Sequence, residues 1–114
     1  MENKFIFNVS KLAQAHKREK DRENVYTIFF NLLTFSVEKQ LFVFSPFDVN
    51  GNILKDRDFH KSDLSELGKE VFIDLMFDWL SYTDNESGKI DRNNNVKMLE
   101  KYYNKIVKDL NISN

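Results

Sequence analysis

The chain has 114 residues, of which 41% are hydrophobic and 31% charged, and its formal net charge at pH 7 is -1. This length and composition are typical of a globular protein, so we expect one domain over residues 1–114. The absence of cysteine excludes disulfides, thiolate zinc sites and a cysteine nucleophile. A net charge near zero provides no overall field to attract nucleic acid, and no apolar run is long enough to cross a membrane. Because the N-terminus lacks the long apolar core of a signal peptide, we expect a cytoplasmic protein.

The N-terminal third of the chain changes from polar to apolar. Residues 4–9 predict a short strand or the approach to a helix, and Ser10 is a suitable N-cap for a helix that begins at Lys11. Residues 11–24 are almost entirely polar and favour an exposed helix. Residues 25–37 are apolar around more than half of a helical wheel, which is typical of a core helix, although a strand remains open. The polar side of this segment is a narrow wedge of Thr27, Asn31 and Thr34.

Residues 41–57 predict a β-hairpin. Asn50-Gly51 is the strongest two-residue turn signal in the chain, and apolar segments lie on both sides of it. Pro46 cannot donate a hydrogen bond within a sheet, so its strand should lie at an edge or contain a bulge.

Residues 63–83 and 96–110 predict two amphipathic helices that pack antiparallel. Apolar residues recur at steps of three and four in both segments, and a polar connector joins them. Asp63 followed by Glu66 resembles a capping box. Gly68 indicates either a close backbone contact or a helix that begins just after it. Together with the N-terminal helices and the hairpin, this pair predicts an α+β fold that is mostly α.

An acidic row is the most distinctive pattern on the first of these two helices. Its members are spaced four residues apart, so they lie side by side on the helix surface. Like charges at this spacing destabilise a helix slightly. One interpretation is an ordinary solvated face, and the other is a surface for a basic protein partner. The row consists of Glu66, Glu70, Asp74 and Asp78, and the apolar side chains beside it are Ile73, Phe77 and Leu80.

Other patterns are incomplete as catalytic or ligand-binding sites. The loop at 83–94 resembles a calcium-binding loop but lacks the leading Asp and the final Glu. The alternation of Asp56, Asp58 and His60 resembles a metal or acid–base cluster, but no second histidine motif completes it. Because glycine-rich phosphate loops and nucleophile elbows are also absent, we predict no enzymatic activity, no cofactor and no metal. A row of lysines at 97, 101, 105 and 108 lies opposite the apolar stripe and is typical of a solvated face.

A hairpin followed by DLSELGKEVF resembles the wing-to-helix passage of MarR-like and PadR-like repressors. The helix before the hairpin, VYTIFFNLLTF, is too apolar to read a DNA groove. A small winged-helix regulator therefore remains an alternative function.

The stretch from Asp63 to Ile106 resembles the C-terminal region of immunity proteins that accompany bacterial polymorphic toxins, including those of contact-dependent growth inhibition. The resemblance implies a small cytosolic inhibitor that binds a toxin domain, often a nuclease. A basic toxin surface would suit the acidic row, so we expect Glu66, Glu70, Asp74, Phe77 and Asp78 to bind the partner. An inhibitor of a host enzyme, encoded by a phage or plasmid, could use the same surface.

Overall fold

A computed structural model describes residues 3–84 and 91–110 of the chain. Within these residues the chain forms four α-helices and one two-stranded antiparallel sheet, which confirms the predicted mostly α, α+β class. No helix in the described ranges is both long and apolar enough to cross a membrane. The elements in chain order are β1 (Phe5–Phe7), α1 (Val9–Gln14), α2 (Glu19–Glu38), β2 (Phe59–His60), α3 (Glu66–Asp84) and α4 (Lys97–Asp109), with single 3₁₀ turns at Lys61–Asp63 and Arg92–Asn94.

The sheet joins β1 to β2, which are distant in sequence, rather than the two sides of the Asn50-Gly51 turn. Around that turn one isolated antiparallel bridge connects Phe47 with Ile53, and Gly51 adopts a φ of 82°. The predicted turn is therefore present, but its arms are too short to count as strands. Phe7 stacks on Phe59 across the sheet with ring centroids 4.6 Å apart, so burial of aromatic rings favours the long-range pairing.

The predicted polar helix at 11–24 is divided between α1 and α2. Asn8, and not Ser10, caps α1, since its Oδ1 accepts a hydrogen bond from the amide of Lys11 at 3.0 Å. Arg22 stabilises the break by donating to the carbonyls of His16 and Lys17. The break lets the apolar faces of both helices reach one core.

α2 includes the apolar segment 25–37, so that segment is helical. The helix ends in a Schellman arrangement, in which Leu41 N donates to Ser36 O at 2.9 Å and Gln40 N donates to Val37 O at 3.0 Å. Gln40 carries the left-handed conformation of this motif, with φ 60°. The chain therefore turns sharply and brings Leu41 against the start of α3.

α3 begins at Glu66, with Ser65 in the capping position rather than Asp63. Ser65 Oγ accepts from Gly68 N at 3.0 Å and donates to Gln40 O at 2.7 Å. Asp63 instead caps the preceding 3₁₀ turn by accepting from His60 N at 2.8 Å. Gly68 marks a close backbone contact, because a Cβ at this position would overlap the carbonyl oxygen of Leu41.

The core lies where α2, α3 and the sheet meet. Trp79 of α3 is fully buried, and its Nε1 donates to the carbonyl of Ile28 in α2 at 2.9 Å. The ring of Phe7 approaches Phe29 and Phe72 at 5.2 and 5.8 Å, which joins the sheet to both helices. In the predicted stripe of α3, Val71, Phe72, Leu75 and Trp79 are buried, whereas Leu67 and Tyr82 are partly buried.

α4 packs antiparallel to α3, as the sequence predicts. Tyr82, near the end of α3, accepts a hydrogen bond at its hydroxyl from Nδ2 of Asn95, just before α4. One turn earlier in α3, Asp78 interacts electrostatically with Lys105, which lies further along α4. The end of α3 therefore lies near the start of α4, and an earlier position of α3 lies near a later position of α4, as expected of an antiparallel pair. At the 3₁₀ turn before α4, Asn31 of α2 donates to Asn93 O at 2.7 Å, so a residue of the polar wedge anchors this turn.

Candidate protein-binding surface on α3

The acidic row follows the side of α3 that the core leaves uncovered. Glu66, Glu70 and Asp74 are exposed, while Asp78 is partly buried toward α4. Glu66 makes an exposed ion pair with Lys69 at 3.4 Å, a geometry that contributes little to stability. In the described part of the chain, Glu70 and Asp74 have no cation within ion-pair distance. Glu70 and Asp74 therefore present negative charge that no ion pair within the described residues neutralises.

Asp78 ends this row at the junction with α4. Burial raises the pKa of its carboxyl above the usual range, and the neighbouring negative charge of Asp74 raises the pKa further. The positive charge of Lys105 acts in the opposite direction but does not outweigh these two causes. Burial also raises the pKa of the Tyr102 phenol, with a further contribution from Asp78. The carboxylate of Asp78 is thus held where its charged form is disfavoured.

Phe77 is the main apolar side chain of this surface, with 60% of the residue exposed to solvent. Ile73, one turn earlier, is partly exposed. Leu80 differs from both because it packs against the core. An aromatic ring this exposed beside several carboxylates provides apolar area that a partner could cover. We call the surface formed by Glu66, Glu70, Asp74, Phe77 and Asp78 the acidic face of α3.

Asp56, Asp58 and His60 do not converge on a common point. Asp56 Oδ1 accepts from Ser10 Oγ at 2.7 Å, and Asp58 Oδ1 accepts from Asn8 Nδ2 at 2.8 Å. The bond from Asn8 is the main reason that the pKa of Asp58 is lowered. The two carboxylates therefore tie their segment to the start of α1. In the described residues no three His, Asp or Glu side chains are placed to share a metal ion.

The remaining sequence patterns contribute no further site. All four lysines of the α4 row are exposed, and one of them, Lys105, lies near Asp78 of the acidic face. The calcium-like pattern lies largely at 85–90, outside the described residues.

Sequence reasoning missed the α4 side of the acidic face. Lys105 acts on Asp78, and Asp78 acts on Tyr102, but only the register of α4 against α3 brings these residues together. Arg92 also belongs to this junction, since its guanidinium lies 4.7 Å from the ring centroid of Tyr82. No local pattern in the sequence predicts that register.

Comparison with known protein families, curated proteins and solved structures finds no significant match to this chain.

Proposed function

We propose that this protein is a non-enzymatic inhibitor that binds a basic protein partner through the acidic face of α3. The observation that carries the proposal is the exposure of Phe77 beside a row of carboxylates. Charge complementarity of this kind speeds the encounter of two proteins and excludes wrong partners, and an aromatic residue that a partner covers supplies affinity.

The energetics of the acidic face support a binding role. Carboxylates four residues apart repel one another along a helix, and Asp78 is also partly desolvated. The fold therefore carries electrostatic strain that a cationic partner would relieve. Exposed Phe77 adds apolar surface at the same place, which a merely solvated face does not require.

The kind of partner is suggested by the resemblance over 63–106 to immunity proteins of polymorphic toxins. We propose a cytoplasmic immunity protein whose partner is a cognate toxin domain with a basic surface. For a nuclease toxin, carboxylates on one helix could occupy the positions of substrate phosphates in the basic cleft. The winged-helix alternative has less support, because one isolated bridge between Phe47 and Ile53, and not a pair of strands, flanks the Asn50-Gly51 turn where the wing would lie.

The test is co-expression of this chain with the C-terminal toxin domain of an exoprotein encoded beside it. We expect the chain to restore growth and to co-purify with the toxin domain. The double variant Glu70→Lys/Asp74→Lys should lose both properties.

Glu19→Lys/Glu23→Lys is the matched control for this test. It has the same charge change at the same spacing on exposed positions of α2 and should retain protection. Equal protection by both double variants would exclude the acidic face from the interface. Failure of the unmodified chain to protect or bind would contradict the immunity role.

A further inference from the structure

A concave surface, separate from the acidic face of α3, lies between α2 and the chain around the Asn50-Gly51 turn. Its volume is about 900 Å³, within the range of sites for small molecules. One wall is the side of α2 that carries Tyr26 and Phe30, and the opposite wall is formed by residues 51–57. We call this feature the α2 cleft. It uses none of the residues of the acidic face.

The aromatic wall of the α2 cleft is available to a ligand. Tyr26 and Phe30 are one helical turn apart, so their rings lie on the same side of α2. Phe30 is 47% exposed. Its ring packs edge-on against the ring of Phe47, with the ring centroids 5.7 Å apart, which restricts rotation of the side chain. Ile53 and Leu54 add partly buried apolar surface opposite these rings. A planar apolar group could lie between the two walls.

Most of the charged side chains that line the cleft already form hydrogen bonds or an ion pair with other residues of the chain. Asp48 Oδ1 accepts from the amides of Asn50 and Asn52 at 2.9 and 3.0 Å, which shapes the turn. Asp56 accepts from the Ser10 hydroxyl at 2.7 Å. Arg57 forms an ion pair with Asp63 at 3.2 Å and stacks over the ring of Phe44 at 4.6 Å.

Lys55 is the exception among these charged groups. Its Nζ lies 6.0 Å from the ring centroid of Tyr26, and in the described residues no carboxylate lies within ion-pair distance of it. The ammonium is therefore a positive charge beside an aromatic wall, without an ion pair to any residue of the described ranges. A ligand anion could take a charge-assisted hydrogen bond from it.

We infer that the α2 cleft is a binding site for a small aromatic anion, whose ring packs against Phe30 and Tyr26 and whose anionic group meets Lys55. The proposal is independent of the partner-binding role of α3. Asn52, which also lines the cleft, carries an amide that could donate to the same anionic group.

The experiment is a titration of the 114-residue chain, labelled with ¹⁵N, with phenyl phosphate as the probe. Benzyl alcohol and inorganic phosphate serve as probes that carry only the ring or only the charge. We expect saturable shifts of amides at 51–57, with a dissociation constant of about 1 mM for a fragment of this size. Benzyl alcohol should bind more weakly at the same amides, and inorganic phosphate alone should not shift them.

Two variants separate the contributions to binding. Lys55→Gln should weaken phenyl phosphate about tenfold and leave benzyl alcohol unchanged. Phe30→Ala should weaken both aromatic probes, and its amide spectrum shows whether the fold is intact. Lys101→Gln, which removes an exposed lysine of α4, is the control and should change nothing.

Several results would overturn the proposal. These are shifts that do not saturate or that spread over the whole surface, a Lys55→Gln variant with unchanged affinity for phenyl phosphate, and inorganic phosphate binding as tightly as phenyl phosphate.

Discussion

Gly68 is a position where α3 comes very close to another part of the backbone. A methyl group there would overlap the carbonyl of Leu41, whose oxygen also accepts a hydrogen bond from Ser65 N at 2.9 Å. The contact therefore cannot relax by a simple shift of a side chain. The glycine costs helix propensity but allows the end of α2 to meet the start of α3.

We predict that Gly68→Ala lowers the free energy of unfolding by more than about 2 kcal/mol, because overpacking outweighs the gain in helix propensity. Urea denaturation measures the effect. Lys69→Ala, at the exposed neighbouring position, should change stability by less than about 0.5 kcal/mol. A Gly68→Ala variant as stable as the parent would show that α3 does not approach Leu41 so closely.

Gln40 is a position where the backbone conformation favours glycine but the chain has a residue with a Cβ. It occupies the left-handed position of the Schellman motif. We predict that Gln40→Gly stabilises the protein by about 0.5–1 kcal/mol, because glycine adopts this conformation without the steric cost. Thermal unfolding of the variant tests this. Gln40→Ala serves as the control, because it shortens the side chain without removing the Cβ and should not stabilise. A Gln40→Gly variant less stable than the parent would contradict the motif.

At the scale of elements, the junction of α3 with α4 has an electrostatic cost centred on Asp78. Its pKa is raised in the folded protein, so folding disfavours the charged form at neutral pH. Protonation relieves this cost as the pH falls through the raised pKa. Below the ordinary value of 3.8 both the folded and unfolded states are protonated, and no difference remains.

We therefore predict that Asp78→Asn raises the urea midpoint at pH 7 and that the gain disappears well below pH 3.8. Asp109→Asn, a substitution of an exposed carboxylate in α4, is the comparison and should not show this pH dependence. A gain that persists unchanged at low pH would mean that burial of charge at Asp78 is not its cause.

Elements with regular patterns could be predicted from the sequence, and those that depend on distant contacts could not. The 3–4 periodicity of α3 and α4 predicted both helices, because an amphipathic face needs no knowledge of its neighbours. The pairing of β1 with β2 depends on Phe7 meeting Phe59, which no local signal indicates. The hydrogen bond from Asn8 to Asp58, which is 50 residues away, likewise has no local signal, whereas the capping of α1 by Asn8 is a local contact with Lys11.

The same distinction applies to the acidic face. Helical spacing alone predicted that Glu66, Glu70 and Asp74 lie together and exposed. The burial of Asp78 and the presence of Lys105 beside it depend on how α4 docks, so they required the structure. The α2 cleft could not be predicted for a similar reason, because it forms only where the turn at 48–52 folds back over α2.

For the molecule as a whole, the acidic face of α3 and the α2 cleft lead to separate predictions. The acidic face of α3 is charged, carries an exposed aromatic ring and suits a protein partner. The α2 cleft is concave and suits a small molecule. Substitution of Lys55 should therefore leave protein binding unchanged, and charge reversal on α3 should leave the binding of phenyl phosphate unchanged.

The most direct test of the central claim is the affinity of this chain for the toxin domain proposed as its partner, measured by calorimetry at low and high salt. We predict that Glu70→Lys/Asp74→Lys weakens binding by about 100-fold or more at low salt, because two attractions become repulsions. The parent complex should weaken as salt is raised, and Glu19→Lys/Glu23→Lys should bind like the parent. If Glu70→Lys/Asp74→Lys binds at low salt with the same affinity as the parent, the acidic face of α3 is not the binding surface.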